Sequence, residues 1–317
     1  MSEHIKADQR SEPTIEDKVQ ALVGVFGHSP ENPVLAPKLI ERAMRLEKHT
    51  GFNQDSRLIM KAVWVVMEQL ALEWPGQEGR DILGATHEEM MQAVALHDIG
   101  KSGPADAGPK TQMAVIMLFR KQEILPSDLI GDVIAEKFSR VSDEELEIFR
   151  ESGFGQDLVR EILEALAEAG ITPDMTMRQF YNKHSEWTKE LLEESPQGIS
   201  PRVRILSASH HVYRGVYPYT PEEMAKHQVS IPASSIIGLS EECLSPIEVA
   251  GIEEKVMMVV DTYEAHFHRR RIGHENAMRM TTATLTDYFK NDPVLNKIIE
   301  IINRLGAEGK LFPELEE

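Results

Sequence analysis

The sequence predicts an all-α fold, and two features of its pattern support this. Apolar residues recur three and four positions apart in residues 56–74, 156–170 and 296–306, which is the spacing that gives a helix one apolar face. Few segments show the alternation of apolar and polar residues that is typical of strands. Because glycine favours the position just after a helix, Gly170 and Gly306 are predicted to end two of these helices.

The predicted elements follow one another along the chain. Residues 1 to about 13 are polar and are expected to form a mobile tail. After the helix over residues 56–74, a second apolar helical run begins at Met90 and stops at His97. Two amphipathic helices are predicted further on, from the segments DEELEIFRES and QDLVREILEALAEAG. Such helices need an apolar surface to cover, so we expect them to pack on the domain itself or on a partner.

Composition restricts the classes of partner. The chain has 317 residues with a formal net charge of −18, so its overall field repels nucleic-acid backbones, and no DNA or RNA polymer is expected as a ligand. Its single cysteine, Cys243, allows no intramolecular disulfide and suits a reducing compartment. No apolar stretch approaches a membrane span, and the start MSEHIKADQRSEP lacks the apolar core of a signal peptide. We therefore expect a cytoplasmic protein without membrane insertion.

Histidines and acids at helix ends carry the candidate chemistry. The run MMQAVALHDIGKSGP, residues 90–104, stops in adjacent His97 and Asp98, a pair that alone is more often a helix-end salt bridge than a metal site. Further ligand-capable residues then follow in or beside helical segments: His184, His210, His211 and Asp261. Imidazole and carboxylate bind iron, manganese, zinc or nickel, and a carboxylate can bridge two cations. Helices that project such groups inward can hold a two-metal site.

This ordered set resembles the HD-GYP branch of the HD superfamily of metal-dependent phosphohydrolases. HDIGK, residues 97–101, matches the opening motif of that branch, and HSEWTKELL, residues 184–192, is similar to its next histidine helix. The paired histidines with YP after them, and DTYEA at residues 261–265, resemble its later motifs. The resemblance implies an HD-domain helical bundle with a helical insertion. It divides the chain into an N-terminal tail and helical extension (1–50), a catalytic domain (51–302) with an insertion at about 105–180, and a C-terminal tail (303–317).

The resemblance also implies a ligand set for two divalent transition-metal ions, with iron or manganese favoured and zinc or nickel open. Asp98 would bridge the ions; His97 and Asp261 would hold one, and His184, His210 and His211 the other. A further ligand is implied from the helix before HDIGK, where this chain lacks the usual histidine. Asp55 is the best positional match, and His49 is the alternative.

The implied reaction is hydrolysis of cyclic di-GMP to linear pGpG, and possibly onward to GMP. Asp98 and Lys101 are the expected catalytic residues. Lys101, Tyr217, Arg270 and Arg271 are the expected substrate contacts. The alternative for the two arginines, at least as well supported for either one, is a solvated basic helix end; for Tyr217 an equal alternative is a packed loop residue, and for Lys101 a solvated helix end is the less favoured alternative.

Three alternatives stay open, the first of them because Val216 replaces the glycine of GYP. The chain could hydrolyse another nucleotide or a phosphomonoester. It could be a catalytically weak sensor that binds a nucleotide, a protein partner or a second copy through the insertion. It could also be an iron-dependent oxygenase, an activity found in distant members of the superfamily.

Overall fold

A computed structural model describes residues 14, 24, 35–73, 85–121, 123–211, 251–269, 271–289 and 292–312, with the backbone alone at 53–55, 269 and 286–289. Within these ranges every regular element is helical, and the strand-like pairing is limited to one isolated bridge between Leu129 and Thr176. The prediction of an all-α fold is confirmed.

Twelve α-helices follow one another along the described chain. The first six are α1 (Pro37–Thr50), α2 (Phe52–Glu73), α3 (His87–Leu96), α4 (Pro109–Arg120), α5 (Ile130–Lys137) and α6 (Asp143–Glu151). The others are α7 (Leu158–Glu168), α8 (Met177–Glu194), α9 (Pro201–Ala208), α10 (Ile252–Glu264), α11 (His274–Phe289) and α12 (Pro293–Ala307). A 3-10 turn, Ile99–Ser102, follows α3, and a π-helical turn, Ala265–Arg269, follows α10.

Two of the helices that lead to candidate ligands, α3 and α8, begin at residues with capping side chains. The Thr86 hydroxyl accepts the backbone N–H of Glu89 at the start of α3, and the Glu89 carboxylate accepts the N–H of Thr86. Thr176 and Gln179 make the same reciprocal pair at the start of α8. Each pair satisfies two backbone donors that a helix end would leave free, so the starts of α3 and α8 are set locally by sequence.

The buried apolar residues form two cores. The first takes residues from 35–116 and from 191–311, and the second takes residues from 113–187. Residues 113–187 overlap most of the segment expected to be an insertion, and the apolar faces of α6 and α7 are covered within this second core. The insertion helices therefore pack on the chain itself; association through them stays a prediction. Ile116 of α4 joins the first core, so α4 contacts both.

The C-terminal end differs from the expected boundary. Helix α12 continues past residue 302 to Ala307, and Leu305 and Leu311 are buried in the first core. Gly170 has φ +72° directly after α7 and ends that helix as predicted. The prediction for Gly306 is wrong, because Gly306 lies inside α12. An added side chain there would meet the His274 ring, so packing explains this glycine.

None of the described helices is both long enough and apolar enough to cross a bilayer.

A buried arginine connects α1 to the loop after the 3-10 turn. The Arg42 guanidinium donates to the carbonyls of Ser102, Pro104 and Ala105 at 2.8 to 3.0 Å, and to that of Gly103 at 3.3 Å. Burial lowers the pKa of Arg42 to about 10, so the side chain is still charged at neutral pH. Its planar fork of donors suits several carbonyls at once. Arg42 thus holds the chain segment that directly follows HDIGK.

We expect Arg42→Met to reduce the free energy of unfolding by about 3 kcal/mol, because several buried carbonyls would lose their donor together. Urea denaturation measures this change. Arg45→Met is the matched control, because Arg45 lies on the same helix and pairs with the exposed Glu41; we expect a change within about 0.5 kcal/mol there. Equal effects of the two substitutions would contradict the role given to Arg42.

Candidate metal centre

Three buried histidines are oriented in the same way. His97, His184 and His210 each donate from Nδ1 to the backbone carbonyl three residues earlier, at 2.7 Å for His97 and 2.9 Å for His210. Because that carbonyl accepts, the proton lies on Nδ1, and Nε2 of the neutral ring presents a lone pair. Metal-binding histidines are commonly oriented by such a bond from the other ring nitrogen.

The Nε2 atoms of His184 and His210 converge with one oxygen of Asp98. These two nitrogens lie 3.0 Å apart. Asp98 Oδ1 lies 3.3 Å from His184 Nε2 and 3.5 Å from His210 Nε2. The His211 ring centroid is 4.8 Å from that of His184 and 4.2 Å from that of His210. The structure therefore brings these three histidines and Asp98 together.

The second oxygen of Asp98 faces the other side. Asp98 Oδ2 lies 3.4 Å from His97 Nε2, and that nitrogen is 4.0 Å from Asp261 Oδ1. His97 Nε2 is buried and has no hydrogen-bond partner among the described residues. A buried acceptor without a partner is costly, and a cation between His97 and Asp261 would satisfy it.

The group His184, His210 and His211 fits a metal ion. One ligand atom from each of these buried residues lies within 4.8 Å of the other two. With both Nδ1 protons committed to carbonyls, the lone pairs of His184 and His210 face each other and cannot hydrogen-bond. A cation between them removes this conflict, and neutral imidazole is a good ligand for first-row transition metals. This buried group could hold a metal ion.

The electrostatics keep the cluster in its ligand form at neutral pH. Burial lowers the pKa of His97, and it lowers the pKa of His184 to about 4. Burial opposes ionisation of Asp98, but the neighbouring Lys101 ammonium holds the pKa of that carboxyl well below its usual range. Neutral imidazoles and an ionised carboxylate are the protonation states that bind metal.

A close approach between the 3-10 turn and α8 sets the distance between HDIGK and His184. The Gly100 N–H donates to the Thr188 hydroxyl at 3.1 Å, and that hydroxyl donates to the His97 carbonyl at 3.2 Å. A Cβ on Gly100 would lie 2.0 Å from the His184 carbonyl oxygen. Only glycine permits this approach. Thr188 was not among the predicted site residues, although its position one helical turn after His184 was a usable signal.

The ammonium of Lys101 lies at the edge of the cluster. It pairs with Asp98 Oδ2 and stays partly exposed. It also lies 6.0 Å from the centroid of the Phe119 ring, and that ring stands perpendicular to His184 at 5.8 Å. Phe119 belongs to α4, so the segment expected to be an insertion contacts the centre directly. Nothing in the sequence pattern indicated Phe119.

Several predicted site residues are not placed in the cluster. Asp55 is helical in α2, but its side chain is outside the described part of the structure. Tyr217 and Arg270 also lie outside the described residues. Arg271 is exposed in the loop before α11, with φ +52°. The substrate-contact predictions for these residues therefore stay predictions.

His49, the alternative N-terminal ligand, is buried on α1. Burial lowers its pKa to about 4, and the charged side chains that act on it are Lys48, Arg120, Arg45 and Glu151. None of these belongs to the cluster around Asp98, and Glu151 is on α6 of the second core region. The structure therefore gives His49 an environment of its own, against the insertion helices.

The burial of His49 predicts that the stability of the fold depends on pH. The pKa of His49 is about 4 in the folded protein, below its value of about 6.5 in an unfolded chain, so the unfolded state takes up the proton first. The free energy of unfolding is therefore unaffected by the titration of His49 above pH 6.5. As pH falls from 6.5 towards 4, protonation of His49 in the unfolded state lowers that free energy by up to about 3 kcal/mol. Urea denaturation of wild type and His49→Gln across this window, both stripped of metal, measures the difference. Parallel pH curves for the two proteins would contradict the prediction.

Comparison of the chain with family models, with curated proteins and with solved structures found no match.

Proposed function

We propose that this chain is a metal-dependent phosphodiesterase that hydrolyses cyclic di-GMP to linear pGpG. The observation that carries the proposal is the placement of Asp98, whose two carboxylate oxygens face different partners. Oδ1 faces His184 and His210, while Oδ2 faces His97. A carboxylate shared in this way between two imidazole groups is suited to bridge two cations. We assign two divalent transition-metal ions to the centre. Imidazole and carboxylate ligands accept several first-row ions, and the resemblance to the HD-GYP branch favours iron or manganese over zinc or nickel.

The proposed ligand division follows the two sides of Asp98. His97 and Asp261 would hold one ion, and His184, His210 and His211 the other. Bound divalent cations would supply a water-derived nucleophile at neutral pH and offset negative charge on the phosphate oxygens.

The other contributions come from the chain. The Nδ1 bonds of the histidines orient their rings, and Asp98 stays ionised. Lys101 would move from Asp98 to a substrate phosphate, where an ammonium is a suitable point-charge contact. Because the ammonium is partly exposed, it can be reached by a ligand.

The choice of cyclic di-GMP depends on the order of the four sequence motifs, because all phosphate esters could use the same centre. A cyclic dinucleotide substrate and the lone cysteine are consistent with action in the cytoplasm. We expect two ions per chain, since Asp55 and His49 are the only candidates for a further ligand before HDIGK and His49 faces the insertion helices. With two ions, cleavage of one diester bond is chemically sufficient, whereas further cleavage needs the linear product to be repositioned.

The test combines metal analysis with a product assay. Protein purified without oxygen is expected to contain two equivalents of iron or manganese and to convert cyclic di-GMP to pGpG, which accumulates before any GMP forms. Mononucleotides and phosphomonoesters are tested as substrates beside cyclic di-GMP, and chromatography identifies the products of each. Hydrolysis of the simpler esters without action on cyclic di-GMP would show that the substrate class is wrong. Oxygen consumption would show that the chain is an oxygenase and not a hydrolase. Nucleotide binding without turnover would show a sensor.

A further inference from the structure

Helices α3 and α9 run parallel and in register. Near their starts, the Ser200 hydroxyl donates to the Glu89 carboxylate at 2.8 Å. Further along, the Ser207 hydroxyl donates to the Ala93 carbonyl at 3.1 Å. At their ends, the rings of His97 and His210 lie with centroids 4.9 Å apart. Contacts therefore advance together along both helices, from their N-terminal ends to the candidate ligands.

Helix α10 runs in the same direction. The Glu253 carboxylate, in its first turn, accepts the backbone N–H of Ala85 just before α3 at 2.7 Å. Asp261, near its other end, lies 4.0 Å from His97. The three helices α3, α9 and α10 thus begin close together, and His97, His210 and Asp261 lie together near their C-terminal ends.

A buried ionic group connects the starting ends. Arg202, in the first turn of α9, donates to Glu253 at 3.1 Å and to Glu254 at 3.2 Å. Both glutamates are fully buried, and Arg202 is 7% exposed. We call Arg202, Glu253 and Glu254 the basal triad. Burying a guanidinium with two carboxyl groups is costly unless each is paired with good geometry, and burial and the neighbouring Glu254 raise the pKa of Glu253. Nothing in the proposed chemistry uses these three groups.

The charges of the basal triad match the helix dipoles. It carries two carboxylates for one guanidinium, and it lies where the N-terminal, positive ends of α3, α9 and α10 meet. Positive helix ends favour excess negative charge. At the opposite ends, the negative poles of α3 and α9 point towards His97 and His210, which favours a cation. The parallel arrangement therefore places the acidic side chains of the basal triad at the positive helix ends and the candidate metal ligands at the opposite ends.

We propose that the basal triad is a positioning device for the metal centre: it sets the longitudinal register of α9 and α10 against α3, so that His210, His211 and Asp261 meet His97 and Asp98. From Glu253 to Asp261 a helix rises about 12 Å. Metal ligation tolerates deviations of only about 0.2 Å in distance, whereas sliding by one residue moves a ligand about 1.5 Å. A rigid ionic contact at the far end restrains that sliding.

The test measures metal binding separately from stability. It uses the full chain and Co²⁺ alone as the probe, because the visible absorption of Co²⁺ reports ligand geometry. We expect Arg202→Met to raise the Kd for Co²⁺ by about 10- to 100-fold, the range for residues that orient ligands, and to change the spectrum while circular dichroism shows a folded protein. Glu254→Gln, which keeps the shape of the side chain, is expected to raise the Kd for Co²⁺ by a smaller factor. If Arg202→Met does not fold, the Kd of Glu254→Gln tests the positioning role by itself.

Lys255→Met is the matched control. Lys255 lies on the same turn of α10 and is equally buried, but it pairs at 2.6 Å with Asp292, at the start of α12 rather than of a ligand helix. We expect it to lower stability while the Kd and spectrum of Co²⁺ stay as in wild type. Wild-type Co²⁺ binding by folded Glu254→Gln and Arg202→Met, or an equal change in Lys255→Met, would overturn the positioning role. This inference rests on metal binding and not on the reaction proposed above; a wild-type chain that binds no Co²⁺ would overturn the metal centre itself.

Discussion

Asp98→Ala is expected to lose bound metal and the proposed phosphodiesterase activity together. In the cluster, Asp98 has one carboxylate oxygen that faces His97 and another that faces His184 and His210. Asp261 also lies beside His97, 4.0 Å from its Nε2, but a carboxylate on that side does not replace the two oxygens that Asp98 presents to His97 and to His184. We expect metal affinity to fall by more than about 100-fold, beyond the range for residues that only orient ligands, and turnover to fall below detection.

Metal analysis of the purified variant and the cyclic di-GMP assay measure both effects on one sample. Asp106→Ala is the matched control, because Asp106 is an exposed aspartate in the loop after HDIGK; we expect wild-type occupancy and activity there. Full metal occupancy with activity in Asp98→Ala would show that Asp98 does not bridge. Loss of metal with activity retained would show that the reaction does not use this centre.

Gly100→Ala is expected to cost about 3 kcal/mol of folding free energy or more, at or above the upper end for overpacking. The added methyl would meet the His184 carbonyl oxygen, and also the backbone nitrogen of Thr188 at 2.6 Å. Because both atoms belong to the backbone of α8, no side-chain rotation can relieve the contact. Helix α8 must move away from the 3-10 turn, and it would carry His184 away from Asp98.

Urea denaturation of metal-free protein measures the stability loss, and Co²⁺ titration of the folded fraction measures the displacement of His184. Gly108→Ala is the control, since Gly108 has φ −71° and nothing lies within 4 Å of an added Cβ. We expect little change in either measurement for that variant. A Gly100→Ala protein with wild-type stability and metal affinity would mean that the close contact between the turn and α8 is not essential.

The sequence by itself determined the helical class and the candidate ligands. Helical periodicity depends on spacings of three and four residues, so residues 156–170 predicted a helix without any knowledge of its neighbours. The end of α3 at His97 was readable for the same reason, because the apolar run stops there. Capping residues such as Thr86 act within one helical turn, and so they are also local.

Other features were decided only by the tertiary structure. Gly306 has the same local pattern as Gly170, yet it lies inside α12, where the His274 ring occupies the space that a side chain would need. The burial of Leu311 after the end of α12 depends on the first core, with which this residue packs.

The convergence of the candidate metal ligands is also decided by tertiary packing. Arg202 and Glu253 read as ordinary charged residues of helical segments, and their burial follows from the parallel packing of α9 and α10 against α3. Periodicity states which face of a helix is apolar, but not which helix it meets or in what register. That register depends on contacts between residues far apart in the chain, and it decides whether His97, His210 and Asp261 meet.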